Sequence, residues 1–353
     1  MAPDENDRAV RLEVVRDDLH QTRVVEGPIP TPADGEVLVR VEAFGLTANN
    51  ISYAVFGDML GYWQFFPSEG EWGQIPAWGF AEVVDSAHDG VPVGTRLFGY
   101  LPMASHLVLR PVSVDEAQIV DGSEHRAALP PAYNSYRLVA ADPLHDPEQE
   151  DAQMLLWPLF FTGFVLDRYL GANALFGART VVLSSASSKT AISTAHCLAK
   201  RDGVTVIGLT SAANLDLVRS LDPYDRVVAY DEVDTLAVDD AVYVDFAGNT
   251  AVRAAVHDHY GDHLVHSSMV GGTHWDKGSP AEVPGPEPVF FFAPDHWGPE
   301  AEGLLPEAWR GFVAGIDDWL RVEHRSGVDA IRRSYLETLD GQADPGVGLV
   351  LSI

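Results

Sequence analysis

The chain has 353 residues, enough for two domains with cores of their own, and its 46% apolar content is ordinary for a globular protein. Acidic residues number 52 against 23 basic ones, a formal net charge of −29, and only three of the basic residues are lysines. That field repels nucleic acid and anionic membranes, so neither is an expected partner; plain solubility is the simplest use of the acidity.

The chain opens on MAPDENDRAV, which is polar and has no apolar signal core, and no run of about 18 apolar residues follows anywhere, so a cytoplasmic location is expected. Residues 9–16 and 36–46 are expected strands; in the second, Val37, Val39 and Val41 recur at alternate positions, flanked by Glu36, Arg40 and Glu42, which predicts one buried face. Residues 47–75 have no clean period but hold Asn49, Asn50, Tyr53, Tyr62, Trp63, Phe65 and Phe66, and read as a long aromatic loop. Such a loop is either a lid or pocket wall, or it folds its aromatics over its own domain. Strands are expected again at 79–87 and 95–111, separated by the turn Asp89–Gly94, and together these suggest a partly open barrel. From 112 to 150 the pattern weakens into proline-rich connections, and the domain boundary is placed near 150.

Residues 152–170 have helical spacing, with Pro158 arguing for a break or a first-turn position. The stretch Thr180–Lys200 then reads strand, small hydroxyl-rich loop, helix, the arrangement that cradles phosphate in nucleotide-binding α/β domains. Its helix carries the chain's one cysteine, Cys197, which excludes an internal disulfide framework and a structural zinc site built on cysteines. Alternation continues with strands at 204–209, 227–230, 241–246, 264–270 and 289–292 and helices at 212–221 and 250–260. Six strands in this pattern predict a doubly wound parallel sheet. The tail reads as helices 306–321 and 328–339 and a last strand at 348–351.

The run TANNISYAVFGD (47–58), the turn VGTRLFG (93–99), LFFT (159–162) and SSASSKTA (184–191) resemble the medium-chain dehydrogenase/reductase superfamily, in its zinc-independent quinone- or enoyl-reductase branch. More narrowly the chain resembles the bacterial family named for domain of unknown function 2855. The resemblance implies a GroES-like β-barrel catalytic domain over 1–150, completed by 306–353, and a Rossmann dinucleotide-binding domain over 151–305. It also implies an NADPH-dependent oxidoreductase that passes hydride to a conjugated carbonyl (enone or enoyl) or a quinone. The other reading is a catalytically degenerate nucleotide-binding sensor or scaffold.

The superfamily's cofactor loop reads A-x-x-G-x-x-G. Here Ala186 keeps the alanine, while Lys189 and Ile192 stand at the glycine positions, which limits backbone approach to a pyrophosphate. The positive charge of Lys189 and the hydroxyls of Ser184, Ser187, Ser188 and Thr190 are the expected replacements. The other reading is a degenerate loop that binds nothing, with Lys189 a solvated lysine at a helix start. Beyond the second strand no carboxylate stands ready for a ribose 2′-hydroxyl; Thr210, Ser211 and Tyr230 are there, with Asn214 in place of a lysine, and favour NADPH. Thr162 is expected near the nicotinamide amide. Zinc-dependent relatives carry ligands where this chain has Gly45-Leu46-Thr47 and Trp78-Gly79-Phe80, so no catalytic zinc is expected. The His257–His266 segment is read as diverging imidazoles at a helix end rather than a metal site.

The resemblance places Asn49, Asn50 and Tyr53 toward the nicotinamide, with Tyr53 as proton donor or enolate stabiliser and Asn50 as the orienting amide. Tyr62, Trp63, Tyr133, Asn134 and His274 are candidate walls of a small-molecule substrate pocket. The apolar Val289–Phe292 strand at the sheet edge implies a homodimer, since such edges are paired across a two-fold axis in the superfamily.

Overall fold

The structure, a computed structural model, describes residues 8–246, 248–270 and 283–353. They form two compact units, one running through Leu155 and resuming at Arg321–Ile353, the other covering Leu156–Leu320. The division therefore falls a few residues after the expected boundary at 150, and well after 306 at the second crossing. The cause of the later crossing is aromatic packing: Trp309 and Phe312 lie against Phe160, with ring centroids 5.4 and 5.1 Å away, and so keep their helix in the second unit.

The first unit opens with β1 (Arg8–Val15), β2 (Asp18–Pro28), β3 (Val37–Leu46) and α1 (Ala48–Val55). It continues with β4 (Trp72–Gly73), β5 (Pro76–Ser86), β6 (Arg96–Pro102), β7 (His106–Leu109), β8 (Pro111–Val114), β9 (Gln118–Asp121) and β10 (Ser135–Leu138). Helix α2 (Glu150–Ala172) follows. Three features differ from expectation here. Part of the aromatic loop is helical, because Thr47 accepts the Asn49 amide while the Asn50 side chain accepts the Thr47 amide, a reciprocal cap. The span 112–150 holds three short strands rather than connections. Pro158 lies inside a continuous helix instead of breaking it. Pro158 has no N–H to give the Met154 carbonyl, and that oxygen lies against Gly45, where a Cβ would sit only 2.6 Å away.

The second unit runs β11 (Thr180–Leu183), α3 (Lys189–Leu198), β12 (Thr205–Thr210), α4 (Leu215–Arg219), β13 (Arg226–Ala229) and β14 (Ala241–Asp245). Then come α5 (Thr250–Tyr260), β15 (Leu264–Met269), β16 (Val289–Phe290), α6 (Pro299–Glu302) and α7 (Leu305–Val313). Among the described residues the sheet order is β13-β12-β11-β14-β15-β16, parallel throughout, which is the expected doubly wound Rossmann sheet. Its inner strands are apolar without alternation because both faces are covered: Val181, Val182, Leu183, Val242, Tyr243 and Val244 are all fully buried. The expected sixth strand is shortened to Val289–Phe290.

The chain returns to the first unit through β17 (Arg321–Ser326), α8 (Val328–Leu339) and β18 (Val347–Ser352). The helix expected over 306–321 is cut short: α7 stops at Val313, a 3-10 turn follows at Ile316–Asp318, and β17 begins at Arg321. Strands β17, β18, β3, β5, β6, β10, β9 and β8 lie side by side in that order, with β7 also paired to β3. They form the GroES-like barrel, filled by Val37, Val39, Leu97, Leu101, Ile119 and Leu351. Strands β1, β2 and β4 form a separate small sheet, in which fully buried Glu13 meets Arg11 and Arg23. Those two guanidiniums and Ser68 hold the Glu13 carboxyl below its ordinary range, against the opposing effect of burial.

Candidate functional site

In the second unit the hydroxyl-rich loop sits at the carboxyl end of β11, between the ends of β12 and β14, where doubly wound sheets take their ligands. Its backbone is tied to both neighbours: the Ser184 amide donates to Val244 O at 3.0 Å and the Ala186 amide to Leu209 O at 3.0 Å. Ser185 adopts φ +48°, a left-handed conformation unusual for a residue with a Cβ. The Tyr230 hydroxyl holds it there, accepting the Ser185 amide at 3.2 Å and lying 3.3 Å from its Oγ. Fully buried Ala186 presses on β12 at Gly208, where a Cβ would come within 2.9 Å of the Ala186 Cβ and 3.0 Å of the Tyr224 ring. Tyr224 also donates to Ala186 O at 2.8 Å.

Ser188 caps α3 by accepting the Ala191 amide at 3.2 Å, so Lys189 and Thr190 open the helix with their side chains half-buried. Ile192, at the second missing glycine, is buried, and the close helix contact is made elsewhere, at Gly163 of α2, where a Cβ would lie 2.7 Å from the Thr194 amide. Asn214 donates to Ser187 Oγ at 3.0 Å and so joins the turn after β12 to the loop. The Thr210 hydroxyl, fully buried at the end of β12, has no hydrogen-bond partner among the described residues. Ser211, Asn214, Tyr230, Ser185, Ser187, Ser188, Lys189 and Thr190 therefore gather at one end of the sheet.

Two residues expected in this group have other work. Ser184 donates to Asp245 Oδ1 at 3.0 Å and accepts the Phe246 amide at 3.1 Å. It braces the buried Asp245 carboxylate and does not offer its proton to a phosphate. Thr162 lies in the middle of α2 and donates to Pro158 O at 3.0 Å. His274 lies outside the described residues.

In the first unit the aromatic residues converge on Tyr100 of β6. Trp78 stands directly opposite Tyr100 in the β5–β6 pair, which sets their rings 5.3 Å apart. Tyr53 of α1 meets Tyr100 edge-on at 5.3 Å and Tyr62 at 4.8 Å. Phe65 and Tyr133 close the cluster, 5.1 and 4.7 Å from Tyr100. Trp78 Nε1 donates to the Tyr53 hydroxyl at 3.2 Å, and the Tyr62 and Tyr133 hydroxyls are 3.3 Å apart. Burial pushes the Tyr53 phenol well above its ordinary range, Tyr133 adds to the shift, and hydrogen bonds from Trp78 and Asn49 oppose it. Burial likewise raises Tyr62, Tyr100 and Tyr133. All four phenols therefore stay neutral well past the ordinary titration range of tyrosine.

Three sequence candidates are structural here. Asn50 is committed at both ends of its amide, to the Thr47 amide at 2.8 Å and to Pro76 O at 2.8 Å, so it orients α1. Trp63 belongs to the barrel core, pinned where a Cβ at Gly57 or Gly73 would fall 2.1 or 2.5 Å from its ring. Asn134 is buried and holds Arg126 O at 3.0 Å. Tyr100 was missed, although alternation in β6 puts Phe98 and Tyr100 on the face shared with Trp78 and Phe80. The T-x-x-N spacing at 47–50 was the available signal for α1.

The imidazoles of the His257–His266 segment diverge. His257 bonds Ser267 Oγ and Pro284 O, His259 bonds Leu236 O, His263 bonds Asp240, and His266 stacks on Phe176. Among the described residues no group of three or more His, Cys, Asp or Glu is placed to hold a metal ion. No helix among them is long and apolar enough to cross a membrane.

The family model for "Protein of unknown function (DUF2855)" matches residues 44–344. No curated protein sequence matches the chain. Solved structures do. CurA from Vibrio vulnificus in complex with NADPH is 16% identical, with a TM-score of 0.60 over 97% of this chain and 98% of that one. A mutant enoyl thioester reductase from Candida tropicalis is 9% identical, with a TM-score of 0.60 over 98% of this chain and all of the other. The quinone oxidoreductase from Coxiella burnetii is 14% identical, with a TM-score of 0.56 over 98% and 99%. At these identities the likeness is one of fold.

Proposed function

The chain belongs to the DUF2855 family, and on that footing we propose that it is an NADPH-dependent, zinc-independent oxidoreductase that reduces a conjugated carbonyl, enone or enoyl, or a quinone. The observation that carries this reading is the gathering of Ser185, Ser187, Asn214 and Tyr230 around the start of α3, beside the unpartnered Thr210 hydroxyl. A buried hydroxyl without a partner is costly in a protein at rest and is met when a polar ligand arrives. Solved structures of the same fold include one described in complex with NADPH and others described as an enoyl thioester reductase and a quinone oxidoreductase.

Ser187, Lys189 and Thr190 with the α3 amino terminus would hold the pyrophosphate, and Ser211 and Tyr230 the 2′-phosphate. When bound, the nucleotide supplies the hydride. The chain's own part is to place the acceptor and to offer a neutral donor to the oxygen on which charge develops. Tyr53 is that donor. Its raised pKa keeps the proton in place, and the Trp78 bond to its oxygen leaves its own O–H free to point elsewhere. Titration of the protein with NADPH and with NADH, read by nucleotide fluorescence, tests the reading. NADPH is expected to bind about tenfold or more tightly than NADH, as one charge-assisted hydrogen bond to the 2′-phosphate would give. Absence of binding by either nucleotide refutes it.

The second reading, a nucleotide-binding sensor or scaffold without catalysis, is favoured by Ser184 serving Asp245 and by Asn50 serving the α1 cap. Tight NADPH binding with no NADPH oxidation by simple quinones or enones would select it.

We further propose a homodimer joined along β16. Val289 and Phe290 stand at the edge of the sheet and are 50% and 42% exposed, a hazard for a lone strand and a natural seam for a second copy. Light scattering at micromolar concentration is expected to give twice the chain mass, and the mass of a single chain would overturn the dimer.

A further inference from the structure

We propose that the cavity beside Trp63 binds a small monocarboxylate, held by the Arg16 guanidinium and the Trp63 indole N–H. The cavity lies wholly in the first unit and has a volume of about 270 Å³. That is below the roughly 300–1,000 Å³ of pockets that take drug-sized ligands, so its occupant is small. The 3-10 turn Tyr62–Gln64 and the residues after it serve two sides. Trp63, Gln64 and Pro67 line the cavity, whereas Tyr62 and Phe65 pack on Tyr53, Tyr100 and Tyr133. The cavity is thus separate from the residues assigned to hydride transfer, and its occupant does not depend on that assignment.

Two donors meet this cavity without an acceptor. Trp63 is only 5% exposed, yet its indole N–H has no hydrogen-bond partner among the described residues. The ring edge that carries this N–H is the one at the cavity. The benzo edge packs on Gly73, where a Cβ would lie 2.5 Å from Cε3. The pyrrole edge lies on Gly57, where a Cβ would lie 2.1 Å from Nε1, and Gly57 is itself a wall of the cavity. So deeply buried a donor is costly to leave unmet. Arg16 is oriented from its inner end: its amide donates to Glu71 O at 3.0 Å and its Nε to Trp72 O at 3.1 Å. Both Nη atoms are left over, with no hydrogen bond or ion pair among the described residues. Two N–H groups of one guanidinium match the two oxygens of a carboxylate.

The charges around the cavity select a monoanion. His125 lines it too, but its Nε2 donates to Phe65 O at 3.2 Å, and burial, then the Arg126 charge, lower its pKa, so it is neutral near pH 7. Arg16 is therefore the cation among the described residues of the wall. Asp58 stands at the rim, exposed and not paired with Arg16, and its carboxylate repels a second negative charge. That disfavours phosphate. Pro67 and the Trp63 ring offer apolar wall to a short hydrocarbon body.

The test is titration of the full-length protein, without nucleotide, with butyrate, butyramide and inorganic phosphate. It is read by calorimetry and by the NMR signals of the eight tryptophan indole N–H groups. Butyrate is expected to bind about tenfold or more tightly than either of the other probes, and to move one indole signal, the one missing from Trp63→Phe. Arg16→Gln is expected to reduce butyrate binding to the level of butyramide, and its melting curve shows whether it folds. The parent's preference among the three probes decides the matter even where a variant fails to fold. Butyrate binding no more tightly than butyramide means that water alone meets Arg16 and Trp63, and the proposal falls. Phosphate binding as tightly as butyrate, a folded Arg16→Gln that keeps the preference, or an unmoved Trp63 signal overturns it too.

Discussion

Tyr53→Phe is expected to lower kcat for NADPH oxidation by a factor on the order of 100 to 1000 and to leave NADPH affinity unchanged. The size follows from removing one well-aimed donor to a developing enolate or quinol oxygen in a site that excludes water, about 3 kcal/mol of transition-state stabilisation. Three observations support giving Tyr53 this weight. Its hydroxyl accepts from Trp78 Nε1 at 3.2 Å, and a hydrogen bond received at a phenol oxygen strengthens the one its proton donates. It sits on α1, whose first turn is locked by the reciprocal Thr47–Asn50 cap and by Asn50 bonding to Pro76 O, so its position does not depend on a mobile loop. Its pKa is raised, first by burial and then by Tyr133. The sign of the pH effect follows. A phenol with an ordinary pKa near 10 would lose its proton as pH rises through that value. Tyr53 keeps it, so the parent's kcat should hold through pH 10 rather than fall there. The stability cost of the variant is small, about 1 kcal/mol for the Trp78 N–H left without its acceptor, and a melting curve separates that loss from the kinetic one. A kcat within a few-fold of the parent would remove Tyr53 from the chemistry and favour the non-catalytic reading.

The second unit was the more legible part of the chain. Its inner strands are apolar runs bounded by polar turns, and strand and helix alternate in a period that admits few folds, so Val181-Val182-Leu183 and the hydroxyl loop after it were identifiable from local pattern alone. The barrel was legible only where apolar residues recur at alternate positions, as Val37, Val39 and Val41 do in β3. Strands β8, β9 and β10 are four residues each, too short to show a period, and β17 reads Arg-Val-Glu-His-Arg-Ser, an edge strand whose register comes from its pairing with β18 rather than from apolar residues. Helix α1 escaped notice because eight residues carry barely two turns of pattern and its stability comes from a side-chain cap. The site was legible by residue type and not by role. The sequence singled out serines, an asparagine and tyrosines in both units by type, but only coordinates tell that Ser184 faces Asp245, that Asn50 faces Pro76, or that Tyr100 lies at the centre of the aromatic cluster. Hydrogen-bond partners far apart in sequence leave no local trace.

That redistribution of roles raises the expected effect of Lys189→Ala, which should weaken NADPH binding by about 10- to 100-fold, the range for losing one charge-assisted hydrogen bond. Of the loop hydroxyls first available to a pyrophosphate, Ser184 gives its proton to Asp245, while Ser188 only accepts the Ala191 amide and keeps its own proton. Ser187 accepts from Asn214 and so keeps its own proton to donate, and Ser185 is held against Tyr230. The amides of Ser184, Ser185, Ala186 and Ser188 are all satisfied within the protein, so the loop offers a phosphate less bare backbone than a glycine-rich turn does. Neutral hydroxyls contribute about 1 kcal/mol each; a lysine at the helix start contributes more, and in a chain of net charge −29 it also lowers the cost of bringing an anion close. Lys189→Arg should retain most of the affinity, because charge is what matters at this place. Pairing the variants with the two nucleotides locates the contact. Lys189→Ala should weaken NADPH and NADH by the same factor, since both carry the pyrophosphate, whereas Ser211→Ala should weaken NADPH alone, since only NADPH carries the 2′-phosphate. High salt should narrow the gap between parent and Lys189→Ala, because screening removes the same attraction that the substitution does. If Lys189→Ala binds NADPH as tightly as the parent, the lysine is not a substitute for the missing glycines, and the hydroxyls with the α3 terminus must carry the nucleotide by themselves.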